Sequence, residues 1–173
     1  MTDAVIFDFD GTLTPGRTDK AQAAARKTQA DALGVDVDRL DAEMTATVDV
    51  RFTGAGGSIE GSLAWVCERL DVRPTPAQLA EAARVRLAAE QAFGRPRPEA
   101  VRVLTTLRAA GLRIGVVSDC SAELPRYFPD LSIAPLVDAP VRARSVCAQC
   151  TWRSPASRAA PSMAAIPRGM VRS

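Results

Sequence analysis

The pattern of hydrophobic and polar positions divides the chain into strand-like and helix-like stretches. A short β-prone apolar run, made of Val5, Ile6, Phe7 and Phe9, opens it, and such runs are typical of parallel strands buried on both faces. Between residues 15 and 95 alanine-rich amphipathic stretches replace the strand pattern. After residue 98 a helical stretch leads to a second apolar run, Leu112 to Val117. This alternation predicts an α/β fold with a parallel sheet.

Residues typical of helix ends mark several boundaries in the middle of the chain. Gly34 is a suitable C-cap, Thr75 a suitable N-cap, and Pro76 stands at a first helical position. The pattern predicts four helices here: Thr18 to Leu33, Asp38 to Arg51, Ser58 to Leu70 and Pro76 to Phe93. Two more helices are predicted later, Glu99 to Ala110 and Ser121 to Phe128.

Two carboxylates interrupt the first apolar run at its carboxyl end. Asp8 and Asp10 would share one face of a regular strand, and Gly11 after them allows a tight turn that lets the two acids contribute differently. Thr12 places a hydroxyl beside the acids. Buried acids cost several kcal/mol unless a cation or hydrogen-bond donors compensate them, so this arrangement indicates a metal site. An aspartate can attack a phosphoryl group when Mg²⁺ screens the repulsion between the anions.

The stretch D-F-D-G-T-L after an apolar strand resembles the first motif of the haloacid dehalogenase-like (HAD) hydrolase superfamily, D-x-D-G-T. The resemblance implies that Asp8 is the nucleophile and a Mg²⁺ ligand. It also implies that Asp10 is the general acid and base and that its backbone carbonyl binds the metal. A second aspartate is typical of the phosphatase members, which points to hydrolysis of a small phosphorylated metabolite through an aspartyl-phosphate at Asp8.

The resemblance also implies an architecture. Helices placed directly after the first motif resemble the helical cap that many members carry over the active site, where it excludes water and selects the substrate. We therefore expect a Rossmann-like parallel sheet core from residues 1–15 and 95–141, incomplete at its C-terminal end, with an inserted α-helical cap over residues 16–94.

A second motif is suggested by G-V-V-S-D-C-S, which resembles the family's hydrophobic strand ending in Ser or Thr. The resemblance implies that the Ser118 hydroxyl binds a phosphoryl oxygen, helped by backbone N–H groups of the following helix. Asp119 is an alternative ligand, although a solvated helix N-terminus also accounts for it. Thr12, Ser118 and Asp119 are thus the candidate substrate-binding residues.

The third and fourth motifs of the family, a Lys or Arg and one or two further acids, are not found. The last lysine is Lys27 and the last acid is Asp138. In the family the fourth-motif strand flanks the first-motif strand, so we expect a bare apolar edge there. Each missing charge is expected to cost on the order of a few kcal/mol of transition-state stabilisation, so activity should be weak or absent. The alternative is a truncated or frame-shifted, non-catalytic remnant that binds phosphate or nucleic acid at most.

Composition limits the other chemistries. The chain of 173 residues is 47% hydrophobic and 24% charged, as soluble globular proteins are, and it has no histidine, which excludes Ser-His-Asp, Cys-His and His-metal sites. Four cysteines include Cys147 and Cys150 in a lone C-x-x-C, which is weak evidence for zinc. No secretory signal or membrane-length apolar run is present, so we expect a cytoplasmic protein that does not bind membranes.

Residues 142–173 form a basic tail with six arginines and no acid, so the rest of the chain carries −4 while the whole carries +2. The tail is rich in Pro, Ser and Ala, as disordered segments are. We favour an out-of-frame or truncated origin for it. A natural tail that binds nucleic acid or an anionic surface by charge is a less expected alternative. A third alternative is that Arg144 or Arg153 replaces the missing lysine of the third motif. The sequence leaves the oligomeric state undecided.

Overall fold

The structure is a computed structural model that describes residues 3–52, 56–118 and 122–142. Asp119, the C-x-x-C pair and the basic tail from residue 143 onward therefore lie outside the described residues.

Three parallel strands form one small sheet in the order β1-β2-β3, where β1 is Ala4–Asp8, β2 is Arg113–Ser118 and β3 is Ala139–Arg142. Asp8 lies opposite Val117, and Ser118 lies opposite Arg142. The carboxyl ends of all three strands therefore meet at one end of the sheet. The sequence pattern does not predict β3, because A-P-V-R is short and contains a proline.

Helices make up most of the remaining described chain, which confirms the predicted α/β class. They are α1 Asp19–Leu33, α2 Val37–Ala46, α3 Val48–Phe52, α4 Ile59–Arg69, α5 Pro76–Phe93, α6 Pro98–Ala109 and α7 Leu124–Tyr127. Helices α1 to α5 stand between β1 and β2 in the chain, and α6 leads into β2.

Local capping residues set the ends of several helices as predicted. Gly34 ends α1 in the left-handed region at φ 70°. Thr75 begins α5 with a capping box, in which its hydroxyl accepts from the Gln78 N–H while the Gln78 side chain accepts from the Thr75 N–H. Ser58, which the sequence pattern places within the helix, caps α4 by accepting from the Gly61 N–H at 3.0 Å. These bonds satisfy N–H groups that the first turn leaves without partners.

Two predicted helices differ from the structure. The single helix expected over Asp38 to Arg51 is two helices, α2 and α3, because the backbone leaves the helical region at Thr47 (φ −106°, ψ 8°). The helix expected to end at Phe128 is only the short α7, which passes into a 3₁₀ turn over Phe128–Asp130. Pro129 in this turn has no N–H with which to continue an α-helix.

The apolar side chains form two clusters. One lies between the sheet and α6 and includes Leu104, Ile114 and Val116. The other lies among α1, α2, α4 and α5 and includes Leu40 and Leu63, both with no exposed surface. Since each cluster has its own set of buried residues, the sheet and the inserted helices each bury a hydrophobic core.

Strand β1 lies at the edge of the sheet. The prediction that its apolar run is buried on both faces is wrong, because Ile6 is 69% exposed while Val5 and Phe7 are half-buried. Successive side chains of a strand alternate between faces, and only one face of β1 packs against the core. In the part of the chain that the structure describes, β1 pairs with β2 alone, so its other edge is open.

No helix within the described ranges is both long enough and apolar enough to cross a membrane.

Candidate active site

A tight turn connects β1 to the inserted helices and carries the first motif. The strand ends at Asp8, and the turn over Phe9–Leu13 is closed by a hydrogen bond from the Thr14 N–H to the Phe9 carbonyl at 3.2 Å. Asp10 (φ −80°, ψ 125°) and Gly11 (φ 79°, ψ −14°) have the angles of a type II turn. The positive φ at Gly11 is the physical reason for glycine at this position.

Asp8 lies at the carboxyl end of β1 with its side chain exposed. The Thr12 hydroxyl donates a hydrogen bond to Asp8 Oδ2 at 3.4 Å. The turn thus brings together two of the predicted site residues, and it leaves the second carboxylate oxygen of Asp8 available to a ligand or substrate.

Asp10 is not part of the strand, so it does not share the face of Asp8 by strand alternation. Its Oδ1 accepts from the Thr14 hydroxyl at 3.4 Å, and its Oδ2 lies 3.5 Å from Nη1 of Arg17. Thr14 is fully buried and its Oγ1 also accepts from the Gly11 N–H at 3.2 Å. Asp10 is therefore oriented by two groups, while 44% of its side-chain surface stays exposed. Because both aspartates reach solvent, the desolvation argument for a metal is weaker than the sequence indicated.

Ser118 ends β2 and is 4% exposed. It lies one position beyond Val117, the partner of Asp8, so it shares the carboxyl end of the sheet with the two aspartates. Among the described residues, no hydrogen bond joins the Ser118 side chain to Asp8 or Asp10, whose side-chain hydrogen bonds go to Thr12 and Thr14. Asp119 lies outside the described residues, so its role as a ligand stays a prediction.

The segment that leaves the turn and the segment that enters α6 run side by side. The Arg97 N–H donates to the Leu13 carbonyl at 2.9 Å, and its Nε donates to the Thr14 carbonyl at 3.0 Å. A third, longer bond at 3.5 Å joins Arg97 Nη2 to the Gly11 carbonyl. Arg97 thereby fixes the turn that carries the aspartates. Sequence reasoning missed this residue, because it stands 83 positions from the threonine that it binds.

Arg17 connects the turn to the inserted helices. Its Nη2 lies 2.7 Å from Glu90 Oε2 on α5, and its guanidinium stands 5.9 Å from the centre of the Phe93 ring. Burial raises the pKa of Glu90, and Glu123 adds to this rise, whereas Arg17 opposes it. Neither Arg17 nor Glu90 carries a local sequence signal, because their pairing depends on how α5 packs beside the motif.

The side chains of the turn offer few free oxygen atoms to a magnesium ion. Mg²⁺ takes about six oxygen ligands, and proteins often supply only one or two carboxylates while water and phosphate supply the others. Asp8 offers one exposed carboxylate, whereas both oxygens of Asp10 already face Thr14 or Arg17. Among the described residues, no three acid, cysteine or histidine side chains lie close enough together to hold a metal ion by themselves. Asp8 is therefore the one carboxylate of the turn with a free oxygen for a magnesium ion, whose other ligands would have to be backbone, water or phosphoryl oxygens.

Comparison with known proteins finds a family match that includes the turn with the two aspartates. A family model described as haloacid dehalogenase-like hydrolase matches residues 2–138, which include both strands of the candidate site. Among curated proteins, none matches the chain in sequence.

Solved structures resemble the fold. A 2-haloacid dehalogenase from Pseudomonas syringae pv. Tomato DC3000 is 22% identical with a TM-score of 0.56, over 83% of this chain and 65% of that one. CbbY from Rhodobacter sphaeroides, solved in complex with phosphate, is 21% identical with a TM-score of 0.47, over 82% and 64%. A predicted phosphoglycolate phosphatase from Haemophilus somnus 129pt is 15% identical with a TM-score of 0.39, over 84% and 64%. The chain thus spans slightly less than two thirds of the length of these three structures.

Proposed function

The chain belongs to the haloacid dehalogenase-like hydrolases, and on that premise we propose that it hydrolyses a small phosphorylated metabolite at Asp8, with slow turnover. The observation that carries the proposal is the pair of aspartates on one turn at the carboxyl end of β1. Asp8 is exposed and held by Thr12, while Asp10 is oriented separately by Thr14 and Arg17. Two carboxylates in different surroundings suit two different roles.

In the proposed reaction an oxygen of Asp8 attacks the phosphorus atom, and the bond from phosphorus to the leaving oxygen breaks. Asp10 gives its proton to the leaving oxygen, which departs as an alcohol. Water then attacks the phosphorus of the aspartyl-phosphate, Asp10 takes a proton from that water, and the carboxylate of Asp8 is restored as phosphate leaves. Mg²⁺, when bound beside Asp8, supplies positive charge that offsets the repulsion between carboxylate and phosphoryl oxygens.

Slow turnover is proposed because, in the part of the chain that the structure describes, Arg17 is the one cation within ion-pair distance of Asp8 or Asp10. Arg17, which lies close to Asp10, is already paired with Glu90 at 2.7 Å. Removing one preorganised charge from a phosphoryl-transfer site costs about two or more decades in rate. The same observation favours a second candidate function, in which the chain binds a phosphorylated molecule without turning it over.

A chemical test can separate these functions. The full chain is incubated with p-nitrophenyl phosphate and Mg²⁺, beside Asp8→Asn and the matched control Asp3→Asn, which changes another exposed acid five positions earlier. We expect release of p-nitrophenol by the wild type and by Asp3→Asn, and a loss of about 100-fold or more in Asp8→Asn. After an acid quench, mass spectrometry should find a phosphoryl group on the peptide that contains Asp8.

Each alternative has its own outcome. Activity that survives in Asp8→Asn would contradict the proposed nucleophile. No turnover by the wild type, together with saturable binding of inorganic phosphate, would support the non-catalytic function. Release of chloride from 2-chloropropionate, without release from aryl phosphate, would place the chain with the dehalogenases instead.

A further inference from the structure

A cavity of about 270 Å³ lies among the inserted helices, next to the turn that carries the aspartates. Its volume is near the lower end of pockets that bind small molecules, about 300 Å³. Four arginines line it: Arg17, Arg26, Arg51 and Arg86. Glu90 is the one acid among its lining residues within the described chain. The lining therefore carries an excess of positive charge.

Arg51 is the lining arginine whose charge is least compensated. It is 6% exposed, and its guanidinium donates to the Thr47 hydroxyl at 3.2 Å and to the Met44 carbonyl, both uncharged acceptors. No carboxylate lies within ion-pair distance of Arg51 among the residues that the structure describes. Burial, and then the positive charges of Arg86 and Arg26, lower the pKa of Arg51 to about 10. A buried guanidinium in such surroundings calls for an anion.

Gln29 adds a second, independent observation. Its side chain is 3% exposed, and its Oε1 accepts from Arg26 Nη1 at 3.1 Å. Its Nε2 is buried and has no hydrogen-bond partner. A buried donor without an acceptor is costly, and nearly all such groups in proteins find one. Here the unsatisfied donor belongs to the lining of the arginine-rich cavity, where a bound oxyanion would supply the acceptor that it lacks.

The acids around the cavity are mostly engaged elsewhere or lie at its rim. Arg26 pairs with Asp41 at 3.0 Å, but the Asp41 side chain is 56% exposed. Arg86 pairs with the buried Glu123, and Arg17 shares its charge between Glu90 and Asp10. These pairs leave the charge of Arg51 without an ion-pair partner among the described residues, and they leave Gln29 Nε2 without an acceptor.

We propose that this cavity is an anion subsite, which receives a carboxylate or phosphate group carried by the substrate whose phosphoryl group reacts at Asp8. Arg17 connects the cavity to the aspartates, because it lines the cavity and lies 3.5 Å from Asp10. Guanidinium groups bind both kinds of oxyanion through paired hydrogen bonds. The identity of the reacting group rests on the proposed function, but the presence of an anion in the cavity is tested without catalysis.

Direct binding is the first test. The full-length Asp8→Asn chain, uniformly labelled with ¹⁵N and without Mg²⁺, is titrated with inorganic phosphate and in a separate arm with acetate. We expect the Nε–H signals of Arg51 and Arg26 to shift saturably with at least one probe, and the effective probe identifies the anion as phosphate or carboxylate. If neither probe moves the Arg51 signal while the Ser118 amide responds to phosphate, the subsite is refuted and the proposed function still stands.

An isosteric substitution is the second test. Gln29→Glu places a carboxylate beside Arg26 in the same volume, whereas Gln91→Glu, the control, adds the same charge at an exposed position of α5 that does not line the cavity. Gln29→Glu should raise the thermal midpoint of the free chain and weaken binding of the effective probe by 10-fold or more. Gln91→Glu should leave the dissociation constant within about twofold.

Three results would overturn the inference. Equal weakening by both substitutions would mean that the probe responds to overall charge and not to the cavity. A lower thermal midpoint for Gln29→Glu with unchanged probe binding would mean that Gln29 serves packing alone. Should Gln29→Glu fail to fold, Arg51→Met is measured in the same titration, where unchanged affinity contradicts the subsite.

Discussion

Replacing Arg17 by methionine should destabilise the chain in a pH-dependent way. Arg17 lies 2.7 Å from Glu90 and 3.5 Å from Asp10, and it is the nearest described cation to each. Methionine keeps much of the apolar stem that packs near Phe93 while removing the charge. The partly buried Glu90 carboxylate then loses the Arg17 guanidinium, and of the two arginines that lower its pKa only Arg86 stays.

The ion pairs of Arg17 with Glu90 and with Asp10 contribute unequally to the free energy of unfolding. At 2.7 Å and an effective dielectric constant of about 20, the attraction between Arg17 and Glu90 is about 6 kcal/mol before desolvation is counted. Arg17 is 37% exposed, so screening and desolvation reduce the net contribution to about 1–3 kcal/mol. The pair with Asp10, in which both side chains are more than one third exposed, contributes at most about 1 kcal/mol. For a chain of this size the midpoint of thermal unfolding should fall by about 3–10 °C.

The sign of the pH dependence follows from Glu90. Burial raises the pKa of Glu90 in the folded chain, so the folded state binds more protons and the contribution of this group to stability falls as the pH rises above about 4.3. Without Arg17 the pKa of Glu90 rises further. The deficit of Arg17→Met in the free energy of unfolding should therefore be small near pH 4 and grow towards pH 8.

Urea unfolding at several pH values measures this deficit. The double variant Arg17→Met with Glu90→Gln should recover most of the loss at pH 8, since an uncharged amide needs no cation. Arg84→Met is the control, because it removes an exposed arginine of α5 that pairs with Glu81 away from the site. A deficit that is equal at pH 4 and pH 8, or one that Glu90→Gln does not relieve, would refute this account of Arg17.

Three further predictions concern the scaffold. Thr75→Ala removes both bonds of the capping box with Gln78 and should cost about 1 kcal/mol in urea unfolding. Asp138→Ala removes the acceptor of the Ile114 N–H at 2.8 Å and should cost about 1 kcal/mol at pH 7. Burial pulls the pKa of Asp138 up, but the Ile114 N–H and Arg108 pull it down further, so the measured cost should disappear as the pH falls below about 4. Ile6→Lys, at a position 69% exposed, should change the free energy of unfolding by less than about 0.5 kcal/mol and reduce aggregation in light scattering, because it charges an open edge strand.

Local features of the candidate site could be predicted from the sequence. The apolar run, the two aspartates and Gly11 lie within a few residues of each other, so backbone preferences alone place them on a strand followed by a turn. Thr75 likewise begins α5 as predicted, since a cap acts on the turn directly after it. The family resemblance rests on this same short stretch, and the family model confirms it over residues 2–138.

Predictions that depended on the rest of the fold were less successful. The apolar run predicted burial of β1 on both faces, but burial depends on what packs against a strand, and Ile6 is exposed. The run over Asp38 to Arg51 predicted one helix, whereas Thr47 separates α2 from α3. Both positions have unexceptional local sequence, so only the surrounding structure could decide them.

The sequence by itself determined which groups can do chemistry and where the chain turns, because these properties depend on neighbours in the chain. Only the tertiary structure decided what those groups face. Arg17 meets Glu90 across 73 positions, and Gln29 and Arg51 are buried around one cavity, because α1 packs against α2 and α5 while α3 packs against α2. Such contacts are set by the volume and shape that distant helices share, and no local pattern of residues encodes them.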